Sequence, residues 1–217
     1  MLNKYVDQIY CLNLKRRPDR KERFLDRLKN VANTVDTNLT IIEAVDGSLI
    51  EELPSPWKKG GQPHEGSGAY GCLKTHVKAV QHAKDNNFNK ILIFEDDVTF
   101  RPTFPEMAKN FFDNLPSNWE SVFIGANFQD GPYNFNPFVA RGRAFGGQSY
   151  LLKSTVYDLI IDWANNTANA PIDVFYANQL NPRDTNYFAA PQLCSQEQGK
   201  SDIEERDVDH RGVLGGF

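Results

Sequence analysis

Apolar positions along the chain switch between two rhythms. An apolar stretch over residues 6–14, with Ile9, Cys11 and Leu12 at its centre, reads as a strand that runs into the charged turn Lys15-Arg16-Arg17-Pro18-Asp19. Phe24, Leu25 and Leu28 then recur at helical spacing, which predicts a helix over 20–30 with Asp19 as its cap. Residues 39–43 (LTIIE) predict a second short strand, closed by the turn dipeptide Asp46-Gly47. Leu73, Val77 and Val80, with His76 on the same side, mark a helix over 69–85. Residues 91–94 form a continuous apolar run, as expected of a strand buried on both faces of a mainly parallel sheet. A helix over 105–115, a buried strand over 121–124 and a strand within 145–152 follow. Ser154 caps a helix over 154–164, Pro171 opens a short helix over 171–178, and residues 187–190 give a last strand. Strand and helix alternate, so the expected fold is a three-layer α/β sandwich around a mainly parallel central sheet.

Three stretches break the rhythm. Residues 53–68 are rich in Pro and Gly and predict a mobile surface loop. Residues 125–137 predict an aromatic-rich loop; together with Phe138, its Phe128, Tyr133 and Phe135 either stack on sugar faces or pack on one another. From Gln196 the tail, 196–217, is polar and charged. Neither a repeat nor a domain boundary is visible, so one domain over 1–217 is expected.

Composition narrows the function. Hydrophobic residues make up 40% and aromatics 12%, enough for a real core. The formal charge of −4 argues against nucleic acid as a partner, since no basic excess faces a phosphate backbone. Cys11, Cys72 and Cys194 are too far apart for a zinc knuckle or a redox motif, a disulfide framework would leave one over, and Cys11 reads as a small core residue. No apolar run reaches the ~18 residues of a transmembrane segment. The chain is therefore expected in the cytoplasm or at a membrane periphery, or as a domain trimmed from a larger protein.

Glu95-Asp96-Asp97 stands at the C-terminal end of the most apolar strand, the edge where open α/β sheets bind ligands. Adjacent carboxylates repel, and an apolar neighbour raises that cost unless a cation compensates. Mg2+ or Mn2+ with oxygen ligands would do so. The alternative is a solvated acidic turn.

Several segments, read in order, resemble glycosyltransferase family 25, which includes bacterial lipooligosaccharide β-galactosyltransferases and collagen hydroxylysine galactosyltransferases. Ile9 to Leu14 followed by Arg16-Arg17-Pro18-Asp19-Arg20 is similar to the family's opening INL-x-RR-x-DR. Ala44-Val45-Asp46-Gly47 resembles its A-x-D-G turn, and Gly71-Cys72-Leu73-Lys74-Thr75-His76 its G-C-x-x-S-H helix with Thr75 in place of Ser. Phe94 to Val98 resembles its L-E-D-D segment. Gly146-Gly147-Gln148-Ser149-Tyr150 resembles G-T-x-x-Y with Gly147 in place of Thr; Pro171-Ile172-Asp173 and Ser201-Asp202-Ile203 resemble P-I-D and S-D-I. The resemblance implies a GT-A fold, a UDP-sugar donor, usually Mn2+, and inversion at the anomeric carbon.

It also distributes roles. Asp97 is expected to hold the metal, with Glu95 or Asp96 adding a ligand or touching the ribose, and with Asp202 and His210 as further candidate ligands. Leu12, Asn13, Arg17, Arg20 and Asp46 are assigned to the donor, the arginines together with Arg16 as partners for its phosphates. Thr75 and His76 either reach the donor or fill the core. Gly146 and Gly147 either let backbone approach the donor sugar or form a turn. Asp173 is the candidate general base for the acceptor hydroxyl; its plainer role is a first-turn helix carboxylate. The expected activity is hexosyl transfer, galactose or glucose, to a glycan or hydroxylysine-type acceptor. The competing reading is a non-catalytic nucleotide-sugar-binding module. A phosphoryl or nucleotidyl transferase is a weaker third, for no Gly-rich phosphate loop is present.

Overall fold

The computed structural model describes residues 2–32, 38–54, 57, 66–200, 202 and 207–208. Its centre is a six-stranded sheet in the order β2-β1-β3-β6-β5-β7. The strands are β1 (Gln8–Asn13), β2 (Leu39–Glu43), β3 (Lys90–Glu95), β5 (Ser121–Asn134), β6 (Val139–Lys153) and β7 (Asn186–Ala189). β1 runs parallel to both β2 and β3, and β5 runs parallel to β7, whereas β6 is antiparallel to β3, β5 and β7. Five strands therefore share one direction and β6 alone opposes them. A short strand β4 (Val98–Phe100) pairs antiparallel with β8 (Cys194–Gln196), and β9 (Gly199–Lys200) pairs with β10 (Asp207–Val208).

Helices cover both faces, for reasons written in the strands. In β3, Ile91 and Ile93 face one apolar layer while Leu92 and Phe94 face the other, all four fully buried. That explains the uninterrupted apolar run, because a strand covered on two sides has no solvent face. Burial of each such side chain contributes about 1.5–3 kcal/mol. On the first face lie α2 (Ser67–Asp85), α4 (Tyr157–Asn166) and α5 (Ile172–Phe175), through Leu73, Val80, Ile160 and Phe175. On the second lie α1 (Pro18–Ala32) and α3 (Phe104–Asn114), through Phe24, Leu28, Phe104 and Phe111. The three-layer sandwich and its mainly parallel sheet are as the pattern predicted.

Three elements differ from expectation. Ser154 opens a 3-10 turn over Ser154–Val156 rather than capping the helix, and α4 starts at Tyr157. α1 begins at Pro18, so Asp19 sits in its first turn rather than capping it. Proline fits there, where its missing N–H would have had no partner, and Asp19 answers the helix dipole while pairing with Arg17 and Arg23 at 3.0 and 3.1 Å. The expected loop over 125–137 is largely strand. β5 continues through Asn134 in a hairpin with β6, absorbing Gly125, Gly131 and Pro132 at register shifts between Phe123 and Tyr133. Of the aromatics there, Phe128 packs on Phe188 with centroids 4.9 Å apart, and Phe135 leans on Tyr187 beneath Arg141. Tyr133 stays 59% exposed and Phe135 53%, so a free aromatic face remains at the hairpin tip. Most of the loop expected over 53–68 lies outside the described residues; Trp57 is buried against Tyr70.

Candidate active site

A cleft opens at the C-terminal ends of β1 and β3, between α2 and the start of α1. Glu95 ends β3, and Asp96 and Asp97 form the turn into β4. The two aspartates are only 6% and 7% exposed, so this is no solvated turn. Asn13, ending the neighbouring strand, donates to Asp96 Oδ2 at 2.6 Å and to the Arg17 carbonyl at 2.9 Å. Arg20 reaches Asp96 at 3.3 Å and Asp97 at 3.4 Å, and Gln196 donates to Asp97 Oδ2 at 3.1 Å. The other Asp97 oxygen, Oδ1, is buried and has no hydrogen-bond partner. Burial above all, then the charges of Glu95 and Asp96, push the Asp97 carboxyl up to about 7. Burial raises Asp96 as well, opposed by its bonds from Asn13 and Arg20. A buried orphan oxygen beside two further carboxylates is a donor set that fits a hard divalent cation.

The wall from α2 is held by a chain of side chains. Thr75 donates to the Gly71 carbonyl at 2.7 Å and accepts from the Val45 amide at 2.9 Å, tying the helix to the turn after β2. His76, 1% exposed, has Nδ1 2.7 Å from the Tyr150 hydroxyl and Nε2 3.2 Å from Glu95 Oε1. Tyr176 in turn donates to the Tyr150 hydroxyl at 2.9 Å.

β6 brings glycine to this edge because it runs backwards. Its Ser149 pairs with Phe94, which carries Gly147 alongside Glu95. A Cβ on Gly147 would lie 3.3 Å from the His76 ring and 3.5 Å from Glu95 Oε1. Gly146 has φ +97°, a region that L side chains avoid, and its N–H donates to Asp173 Oδ2 at 3.3 Å. Asp173 also accepts from the Val174 amide at 2.8 Å. Its carboxyl is raised chiefly by burial, opposed by these two N–H donors, and it feels the charges of Glu95 and His76.

Arg16 and Arg17 from the turn after β1, and Arg20 from the first turn of α1, converge on one tail carboxylate. Asp202 pairs with Arg16 at 2.5 Å, with Arg17, and with Arg20 at 3.5 Å. Arg16 also holds Asp46 at 2.7 Å, while Asp46 accepts from Ser48. Glu197 pairs with Arg27 at 2.5 Å and its amide donates to the Asp97 carbonyl at 2.7 Å, fastening the chain after β8 to the acidic turn.

Of the residues expected at the site, Leu12, Arg20, Asp46, Thr75, His76, Glu95, Asp96, Asp97 and Asp202 line the cleft. Asn13 and Arg17 instead grip residues that line it, Asp96 and Asp202. Gly146, Gly147 and Asp173 cluster around Glu95 and His76. His210, Ser201 and Ile203 lie outside the described residues. Sequence reading gave no role to Cys72 and Gln196, which also line the cleft. Cys72 had a signal, its i,i+4 spacing from His76 on one helix; Gln196, in a polar tail, had none.

The family model for glycosyltransferase family 25 (LPS biosynthesis protein) matches residues 6–145, which include the arginine turn, the α2 wall and the acidic triplet. The chain belongs to this family. Among family 25 relatives, human procollagen galactosyltransferase 2 is 31% identical over 132 residues, 55% of this chain and 20% of that protein. The procollagen lysyl hydroxylase and glycosyltransferase of Acanthamoeba polyphaga mimivirus is 30% identical over 135 residues, 55% of this chain and 15% of that protein. Human inactive glycosyltransferase 25 family member 3 is 27% identical over 132 residues, with 55% and 22% covered. The match thus spans about a fifth of these relatives' length. A solved glycosyltransferase involved in glycosylation of the major capsid of PBCV-1 superposes with a TM-score of 0.54 at 11% identity, over 91% of this chain and 95% of that one. The likeness is one of fold, and the fold is that of the GT-A glycosyltransferases. Among the described residues, no helix is long and apolar enough to cross a membrane.

Proposed function

We propose that this family 25 chain transfers a hexose, galactose or glucose, from a UDP-sugar to a hydroxyl of a glycan or a hydroxylysine-type acceptor, with inversion and with the help of Mn2+ or Mg2+. The observation that carries the reading is the buried, partnerless Asp97 Oδ1 in a cleft that also presents arginines. Asp97, with Glu95, would hold the cation; bound there, it would neutralise charge on a departing diphosphate. Arg16 and Arg20 supply the fixed positive charge that a diphosphate's oxygens seek. Asn13 keeps Asp96 turned toward Arg20, so the acidic turn has one geometry before any donor arrives.

Inverting transfer requires a base on the acceptor side of the sugar carbon. Asp173 suits that task because burial raises its proton affinity while two backbone N–H groups fix its orientation. The glycine pair beside it leaves space that a side chain would fill. The galactose and hydroxylysine preferences draw support from the names of the procollagen relatives.

A relative named inactive keeps a second reading alive, a donor-binding module without turnover. A buried Asp97 in the cleft and an Asp173 held by two backbone N–H groups favour catalysis. The deciding experiment measures UDP release from a panel of UDP-sugars with Mn2+, with and without EDTA. Metal-dependent release supports the transferase; calorimetric UDP binding with no release from any donor supports the module.

A further inference from the structure

We propose that Cys72, His76 and Glu95 form a second cation site in the cleft wall, selective for thiophilic ions such as Zn2+ and adjoining the hard-cation position at Asp97, with which it shares Glu95 through the carboxylate's second oxygen. Cys72 and His76 lie one turn apart on α2, and Glu95 ends β3 opposite them. Their sulfur, ring nitrogen and carboxylate oxygen all lie within 4.8 Å of one another. With metal–ligand bonds of about 2.0–2.3 Å, ligand atoms of a tetrahedral zinc stand roughly 3.5 Å apart. Closing the set therefore needs shifts of about one ångström.

The donor chemistry makes the distinction. Thiolate, imidazole and a single carboxylate suit zinc, whereas Mg2+ and Mn2+ seek oxygen. Asp97, with its orphan Oδ1 and its Gln196 and Arg20 contacts, contributes nothing soft. Two further observations mark the cluster as built. Tyr150 engages His76 Nδ1 at 2.7 Å and is itself engaged by Tyr176 at 2.9 Å, which aims Nε2 at Glu95. Such outer-shell partners are what fix ligating histidines in metal sites. Gly147 presents no Cβ where one would stand 3.3–3.7 Å from the His76 ring and 3.5 Å from Glu95 Oε1, so that side remains open. Three protein ligands lining a cleft leave the fourth position to water or a ligand atom. The inference stands on these side chains whether or not the chain proves to be a transferase.

The test titrates the intact chain with Cd2+ in excess Mg2+ and follows the ultraviolet cadmium–thiolate charge-transfer absorption. We expect saturation at one equivalent in the wild type, loss of the band in Cys72→Ser, at least tenfold weaker binding in His76→Asn, and retention in Asp97→Asn. Alkylation of wild-type Cys72, read by mass spectrometry, should be blocked by Zn2+ and not by Mg2+, a readout independent of how any variant folds. Absence of a stoichiometric band, its persistence in Cys72→Ser, its loss in Asp97→Asn, or unprotected Cys72 in Zn2+ would each overturn the proposal.

Discussion

Asp97→Asn should make the cation-free protein more heat-stable at pH 8 and leave it nearly level with the wild type at about pH 3.5. The carboxyl is buried and raised from an ordinary 3.8 to about 7. Between those values the folded state holds a proton that the unfolded state has released, so stability falls as pH rises through the window. The full penalty is present above about pH 7 and absent below about pH 4. At ~1.4 kcal/mol for each tenfold change in proton affinity, the ceiling is about 4 kcal/mol. An asparagine oxygen keeps the Gln196 and Arg20 contacts while the side chain carries no charge to desolvate. Relaxation around a charged Asp97 offsets part of the penalty in the wild type, leaving a gain of about 2 kcal/mol, or roughly 4–8 °C in Tm for a chain of this size. Scanning calorimetry in EDTA at the two pH values measures it. Millimolar Mn2+ should raise the wild-type Tm and leave the variant's in place. A fall in Tm of equal size at both pH values would refute the reasoning and make Asp97 a structural acceptor.

Asp173→Asn should lower turnover by about 10²–10⁴-fold with UDP affinity nearly constant, in single-turnover and calorimetric assays. Because burial raises the Asp173 carboxyl, wild-type turnover should climb with pH through that raised value as the base loses its proton, and the variant should lack this limb. Asp202→Asn releases the opposite charge from Arg16, Arg17 and Arg20; at ~0.2–1 kcal/mol per pair, UDP should bind about 5–10-fold more tightly by calorimetry, an effect that shrinks in high salt. Tyr150→Phe strips partners from His76 Nδ1 and the Tyr176 hydroxyl, both buried, and should cost about 1–3 kcal/mol in urea denaturation.

What the sequence disclosed, and what it withheld, follows from the range of the forces. Residues 39–43 were assigned as a strand to the residue, and β3 to within one residue at each end, because apolar runs bounded by polar turns are local signals. The hairpin of β5 and β6 was missed beyond residue 124, since Gly, Pro and Asn there signal a loop locally while the partner strand decides otherwise. Glu95, Asp96 and Asp97 were found by their place after a buried strand. The bonds from Asn13, separated by 83 positions, and from Gln196, separated by 99, had no local trace. Family motifs supplied His76 and Asp173 as candidates. That Tyr150 and Gly146 hold them in place depends on the reversed course of β6, which no short-range pattern encodes.

Gly47 and Gly71 deserve a structural engineer's reading. A methyl on Gly47 would sit 2.3 Å from the Ser67 carbonyl oxygen, and one on Gly71 would sit 2.7 Å from that of Val45. Two stretches of main chain are thus pressed together with no side chain as a spacer, and they set how far the helix bearing Thr75 and His76 stands from the turn bearing Asp46. Alanine at either glycine would act as a shim, widening the mouth of the enclosure. Its first symptom would be slack fit for whatever enters, ahead of any collapse of the fold.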